Sequence, residues 1–284
     1  MRRFPAGQMM RPLYRNGRSG KFRVWPLVLF ACFFAFYYLS NQETVPITGR
    51  SQLVDMSREQ EVALGLQSFR EVLSKSRIVS KGPEVEFVRS VASKLIPVVQ
   101  EVKFDWDFRV IESFQANAFA LPGGKVAVYT GILPIVKNED GLATVLGHEI
   151  AHAVARHGAE RMAQQKLGQW ASLAVSMSVG EMEPGTRRLV HAAFGLGSQF
   201  GVMLPFSRKH ESEADKMGLI YLARACFDPR EAPKVWERMA GHSSGAQPME
   251  FMSTHPSPST RIAQFKAWMP EALEIRKQHC EVSS

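Results

Sequence analysis

From Ser57 onward, apolar residues recur every three to four positions. Val62, Leu66, Phe69 and Leu73 fall on one helical stripe, and Ser57 with Gln60 is placed as a capping box before it. Val85, Val88, Val91, Ala92 and Leu95 mark a second helix between Pro83 and Pro97. The period then shortens to two. Phe104, Trp106, Phe108 and Val110 alternate with Asp105, Asp107 and Arg109, which predicts a half-buried strand. A Pro-Gly-Gly turn follows, then a strand over Lys125 to Tyr129. From Asp140 the helical period returns through Leu142, Val145, Leu146, Ile150, Ala153 and Val154. Two apolar arms, WASLAVSMSVG (170–180) and LVHAAFGLGSQFGVML (189–204), flank the polar turn EMEPGTRR. Each is too short to cross a bilayer by itself. They read either as a core hairpin or as a lid or membrane-surface hairpin over 168–205. Further helices are expected over 207–224, 229–240 and 258–267. The pattern predicts a mainly α domain with a small β-sheet, an α+β arrangement over 57–284.

The segment ahead of this domain changes the picture. VWPLVLFACFFAFYYL (24–39) has no charge and carries aromatic residues near both ends, as an interfacial anchor does. Residues 1–23 are basic and acid-free, and 40–56 reads as a linker with turn chemistry at Pro46 and Gly49. An uncleaved N-terminal signal anchor is the preferred reading. The positive-inside rule then keeps 1–23 in the cytoplasm and sends the domain across the membrane. That places it at a bacterial inner membrane facing the periplasm. A mitochondrial inner membrane facing the intermembrane space is the alternative, since the tail also resembles an import sequence. A lipoprotein attached through Cys32 is a further alternative, which the apolar run after Cys32 disfavours.

The net charge of +8 belongs to that tail. Seven basic residues precede Glu43, the first acid, which leaves 28 basic against 27 acidic residues. The domain therefore gives no sign of a nucleic-acid partner. Of the three cysteines, Cys226 and Cys280 lie far apart in sequence. A buried thiol is the expected state for Cys226, with a Cys226–Cys280 disulfide as the alternative.

The chemistry concentrates in LGHEIAHAVARHG (146–158). On a helix, His148 and His152 share one face and can bind one ion through two imidazoles. Glu149 lies beside them, placed to act as general base on a water. His157 is five residues past His152, about 140° off its face, so a structural role is expected for it. A carboxylate can complete the set. In ESEAD, Glu211 and Asp215 share a helix face while Glu213 points elsewhere. Glu211 is the expected third ligand, and Asp215 the expected acceptor that orients a ligand imidazole. The bland alternative is a solvated acidic helix face.

HEIAH followed by ESEAD resembles the membrane-associated zinc metallopeptidases that include the CAAX prenyl proteases, the heat-shock protease HtpX and the periplasmic protease BepA. The resemblance is strongest to the mitochondrial inner-membrane stress-protease branch and its bacterial relatives. It is carried by VPITGR (45–50), NAFALPGGKVAVYTG (117–131), LGHEIAHAV (146–154), SRKHESEADKMGL (207–219) and STHPSPSTRI (253–262). It implies a zincin-like fold, one Zn²⁺ per chain, and endopeptidase activity on misfolded or damaged membrane or translocated proteins. It implies that Asn117 binds substrate backbone beside an edge strand, and that Arg261 and His255 assist the oxyanion. His255 is alternatively a reversible fourth metal ligand. His210 stands where the family usually has an apolar residue, and is expected to point away from the metal. The partners implied are polypeptide substrates and the membrane, and a homo-oligomer is compatible. The competing reading is a chaperone or assembly factor with latent protease activity.

Overall fold

The structure, a computed structural model, describes residues 21–242, 251, 253, 255 and 258–280. The first 20 residues of the expected basic segment lie outside them. Helix α1 (Trp25–Ser40) leads into a hairpin of β1 (Gln42–Thr44) and β2 (Ser51–Leu53). The stretch expected as a linker is thus folded. Val45, Leu53 and Val54 are buried, and the turn is made by Ile47 and Gly49, both at positive φ. The linker reading failed because three-residue strands are too short to show a period.

Helix α2 (Arg58–Ser74) starts at the expected capping box: Ser57 Oγ accepts from the Gln60 N–H, and Gln60 Oε1 from the Ser57 N–H. Its buried face is rotated from the expected stripe. Glu61, Gly65 and Phe69 are buried while Val62 is exposed. The cause is an ion pair from elsewhere in the chain, described below. Helix α3 (Pro83–Leu95) buries Val88, Val91, Ala92 and Leu95, as its spacing requires.

The sheet contains β3 (Ile78–Val79), β4 (Asp107–Ile111), β5 (Ala118–Leu121) and β6 (Lys125–Tyr129) in the order β3-β4-β6-β5. β4 and β6 are parallel, and the other pairs are antiparallel. β5 is therefore an edge strand, joined to β6 by the turn through Gly123 and Gly124 at positive φ. β4 begins at Asp107, three residues later than the alternation starts. Phe104 and Trp106 instead pack over the bare Cα of Gly124, where a Cβ would lie 2.8 and 2.9 Å from them.

After a short helix α4 (Leu133–Val136), helix α5 (Glu139–Val154) forms the centre of the molecule. Asn138 caps it by accepting from the Gly141 N–H at 2.8 Å. Every residue from Gly141 to Val154 except His152 is buried. Helix α8 (Leu204–Arg224) crosses α5 where Gly147 meets Gly218. A Cβ on Gly218 would stand 2.9 Å from the His148 nitrogen, and one on Gly147 would stand 3.1 Å from the Gly218 oxygen. The two main chains touch directly, and only glycine fits.

At Arg156 (φ 59) the chain turns sharply from α5 into α6 (His157–Val179). The Arg156 guanidinium is buried. It donates to Glu61 at 2.7 Å, to Glu43 at 2.6 Å and to the Met56 carbonyl at 2.7 Å. This cation draws Glu61 inward and sets the rotation of α2. Arg156→Ala is expected to cost about 3–5 kcal/mol, because Glu61 stays buried without its counter-charge. Urea unfolding measures it, and a loss below about 0.5 kcal/mol, the scale of an ordinary surface change, would contradict the assignment.

Helix α7 (Pro184–Ser198) returns antiparallel to α6. The second apolar arm does not stop before 207. It continues through one π-helical turn (Gln199–Met203) into α8, so Pro184–Arg224 is one helical run of 41 residues, apolar enough in part to cross a membrane. α1 is a shorter apolar helix that fits a single N-terminal anchor. It lies against α6, with Phe33 and Tyr37 edge-on to Trp170 at 4.9 and 5.2 Å. Its opposite face leaves Val28, Leu29, Phe36 and Leu39 exposed.

Helices α9 (Glu231–His242) and α10 (Pro258–Cys280) complete the described chain. α10 runs thirteen residues beyond its expected end and continues through Pro270. That extra length carries Cys280 to Cys226, which sits at positive φ just past α8, and the two form a disulfide. The expectation of a buried thiol at Cys226 is corrected accordingly. Its partner lies 54 residues away, brought near by a helix whose end the Pro270 position obscured.

Candidate metal centre

Three helices and the segment before the last of them converge at the crossing of α5 and α8. α5 supplies His148, Glu149 and His152. α8 supplies Glu211 and Asp215. The segment before α10 supplies His255, and α10 itself supplies Arg261. One donor atom each from His148, His152, Glu211 and His255 lies within 4.8 Å of all the others. His148 Nε2 is 3.1 Å from His152 Nε2 and 3.2 Å from His255 Nδ1. Glu211 Oε2 is 2.9 Å from His255 Nδ1 and 3.3 Å from His148 Nε2. Ring nitrogens facing one another this closely, beside a carboxylate, form the donor set of a tetrahedral cation. One further observation fits: Oε1 of Glu211 is buried with no hydrogen-bond partner among the described residues.

The electrostatics have the same cause. Burial resists the charge on Glu211, but His152, His148 and His255 outweigh it and hold the carboxyl far below the ordinary range. Burial and the Arg261 cation both oppose protonation of His148, yet its hydrogen bonds to Asp215 and Glu211 raise it to about 9. Both groups are responding to surplus charge of the opposite sign. A cation would take the place of that proton.

His148 is oriented from behind. Its Nδ1 is 2.9 Å from Asp215 Oδ1, the expected arrangement of an acceptor on a ligand imidazole. Asp215 is held in turn by Arg261, whose Nε donates at 2.6 Å and Nη2 at 2.5 Å. The guanidinium also stacks on the Trp236 ring at 3.4 Å and reaches Glu211 at 3.3 Å. This differs from the oxyanion role expected for Arg261. The side chain is 2% exposed, and its donors go to Asp215 behind the donor set and to Glu211 within it. Trp236 had no signal in the sequence.

Glu149 is buried beside the donors, and burial pushes its carboxyl up, partly opposed by His255 and His148. The Ala120 backbone on β5 also favours its charged form, more weakly. Its Oε1 lies 3.4 Å from His255 Nε2. His255 therefore stands between Glu149 and Glu211. It is backed by Phe251, whose ring is 4.6 Å away and whose N–H donates to the Ala116 carbonyl at 3.2 Å. Asn117 is half-buried at the start of β5, where its carbonyl accepts from the Tyr129 N–H at 3.0 Å, and it is not part of the donor set.

The remaining histidines lie outside the donor set. His210 turns away and meets Glu160 at 2.8 Å. His157 packs behind His152, with Nδ1 2.8 Å from His152 Nδ1 and Nε2 3.0 Å from Glu213.

A profile of peptidase family M48 matches residues 85–269. The mitochondrial metalloendopeptidase OMA1 of Schizosaccharomyces pombe is 40% identical over 245 residues, which cover 85% of this chain and 70% of that protein. The human mitochondrial metalloendopeptidase OMA1 is 32% identical over 276 residues, covering 92% of this chain and 52% of the human one. The beta-barrel assembly-enhancing protease of Escherichia coli K12 is 27% identical over 230 residues, covering 80% of this chain and 47% of that protein.

Proposed function

The chain belongs to peptidase family M48 and is a zinc-dependent metalloendopeptidase, and from that premise we propose that His148, His152 and Glu211 hold the ion while Glu149 is the general base. The convergence of these donors within 4.8 Å beside a buried carboxyl is the observation that carries the reading. Zinc held there supplies Lewis acidity, lowering the pKa of a water towards about 7 and polarising the scissile carbonyl. The protein's own groups do the rest. Glu149 takes the proton of the attacking water and passes it to the leaving amine. The substrate adds as an extended strand to the edge of β5, with Asn117 at its start. Asp215 and Arg261 hold the donor set from behind.

The substrates are misfolded or damaged membrane or translocated proteins, met by a domain tethered through α1. The apolar outer face of α1 and the basic residues before it support an anchor with the domain on the far side of the membrane. The names of the relatives, mitochondrial in one group and tied to β-barrel assembly in the other, support a membrane setting.

His255 favours a second, latent state. It fills the space between Glu149 and Glu211 that an attacking water requires. His255→Ala is expected to raise cleavage of an unfolded, membrane-tethered model protein at least several-fold over wild type. If instead neither protein cuts it while both prevent its aggregation equally, the chain acts as a chaperone rather than a protease.

A further inference from the structure

The two histidines of HEIAH are supported in different ways. His148 leans directly on a carboxylate, with Asp215 Oδ1 2.9 Å from its Nδ1. Among the described residues, His152 meets no carboxylate with its outer nitrogen. Its Nδ1 is 2.8 Å from His157 Nδ1, and His157 Nε2 is 3.0 Å from Glu213 Oε2. An imidazole that offers Nε2 to a cation carries its proton on Nδ1. His152 then donates to His157 Nδ1, and His157 donates from Nε2 to Glu213, which only accepts.

The relay continues outward. Glu213 accepts from the Thr48 hydroxyl and from Arg50 Nε at 2.8 Å. Arg50 also grips Glu160 at 2.9 and 2.7 Å, and Glu160 holds His210, whose ring stacks on His157 at 4.1 Å and 10°. Both nitrogens of His157 are engaged and one ring face is covered. Thr48 and Arg50 belong to the β1–β2 hairpin, directly after α1.

We propose that His157 is a positioning residue for His152, and that Arg50 sets it through Glu213 from the hairpin at the foot of α1. The inference rests on the reading of His152 as a zinc ligand. The sequence shows only a histidine that misses the ligand face. The structure gives it the place that a carboxylate holds behind His148.

The test is competition for zinc against a calibrated chelator, with the full-length protein in detergent. His157→Phe keeps the ring and its stacking but removes both nitrogens. Zinc is expected to bind about 10–100-fold more weakly, with the thermal midpoint of the metal-free protein little changed. His157→Gln, whose amide can accept from His152 and donate to Glu213, is expected to recover most of that loss. In the zinc-loaded wild type, the His152 Nδ1–H gives a hydrogen-bonded proton resonance that His157→Phe abolishes. Arg50→Gln is expected to weaken zinc several-fold. Wild-type affinity in His157→Phe, or no recovery in His157→Gln, would overturn the relay, and unchanged affinity in Arg50→Gln would overturn the link to the hairpin. Full affinity in His152→Ala would sink the ligand reading itself, a separate result from a failure at His157 alone.

Discussion

Glu149→Gln is expected to lower peptide turnover by about 10²–10⁴-fold, the range a general base contributes, with zinc still bound. The substitution preserves volume in a site where the side chain is 3% exposed. Only the ability to take a proton is lost. Burial has already pushed this carboxyl upward, towards the working range of a base that must both accept a proton and release it. The decisive comparison is turnover against zinc content in the same preparation. Undiminished cleavage would remove Glu149 from the mechanism. Loss of zinc with loss of cleavage would make it a structural support of the ion instead.

Glu211→Gln is expected to weaken zinc by more than the roughly 10–100-fold typical of a group that only orients a ligand. The Glu211 carboxylate faces both imidazoles of HEIAH, 3.3 Å from His148 and 3.5 Å from His152. Asp215 touches only the far side of His148, so Asp215→Asn is the natural control and belongs in the smaller range. Metal analysis after dialysis, followed by chelator competition, separates the two. Equal losses at both positions would mean that Glu211 is not the third ligand, and would leave His255 as the candidate.

The residues that spacing pairs and the structure brings together share a property. His148, His152, Glu211 and Asp215 could be paired because each pair lies on one helix face, and a face follows from spacing alone. The strand Lys125–Tyr129, the helix Pro83–Leu95 and the capping box at Ser57 are equally local. The differences arise where a distant element intervenes. Val62 sits on the expected stripe of α2, but Arg156, from the α5–α6 junction, pulls Glu61 inward instead. Arg261 was expected at an oxyanion, but Trp236 and Asp215 capture it. His157 is off the ligand face, as its spacing predicts, but its contact with His152 was not legible, because the helix breaks at Arg156 and restarts with His157 in a new direction. No periodicity reports a left-handed residue between two helices.

The contact of Gly147 with Gly218 bears on how finely the site is tuned. Where side chains separate two helices, a change of rotamer can alter the gap. Here main chain meets main chain, and the gap is a hard stop. The remaining freedom of α8 against α5 is to pivot about that point. His148 sits beside the pivot and hardly moves when α8 tilts. Glu211 lies seven residues along α8 from Gly218, a lever arm of about 10 Å. A tilt of about 6° therefore swings its carboxylate about 1 Å relative to the imidazoles, roughly half the length of a zinc–oxygen bond. Any force that reaches α8 is geared into the position of the Glu211 carboxylate while the two imidazoles of α5 stay put.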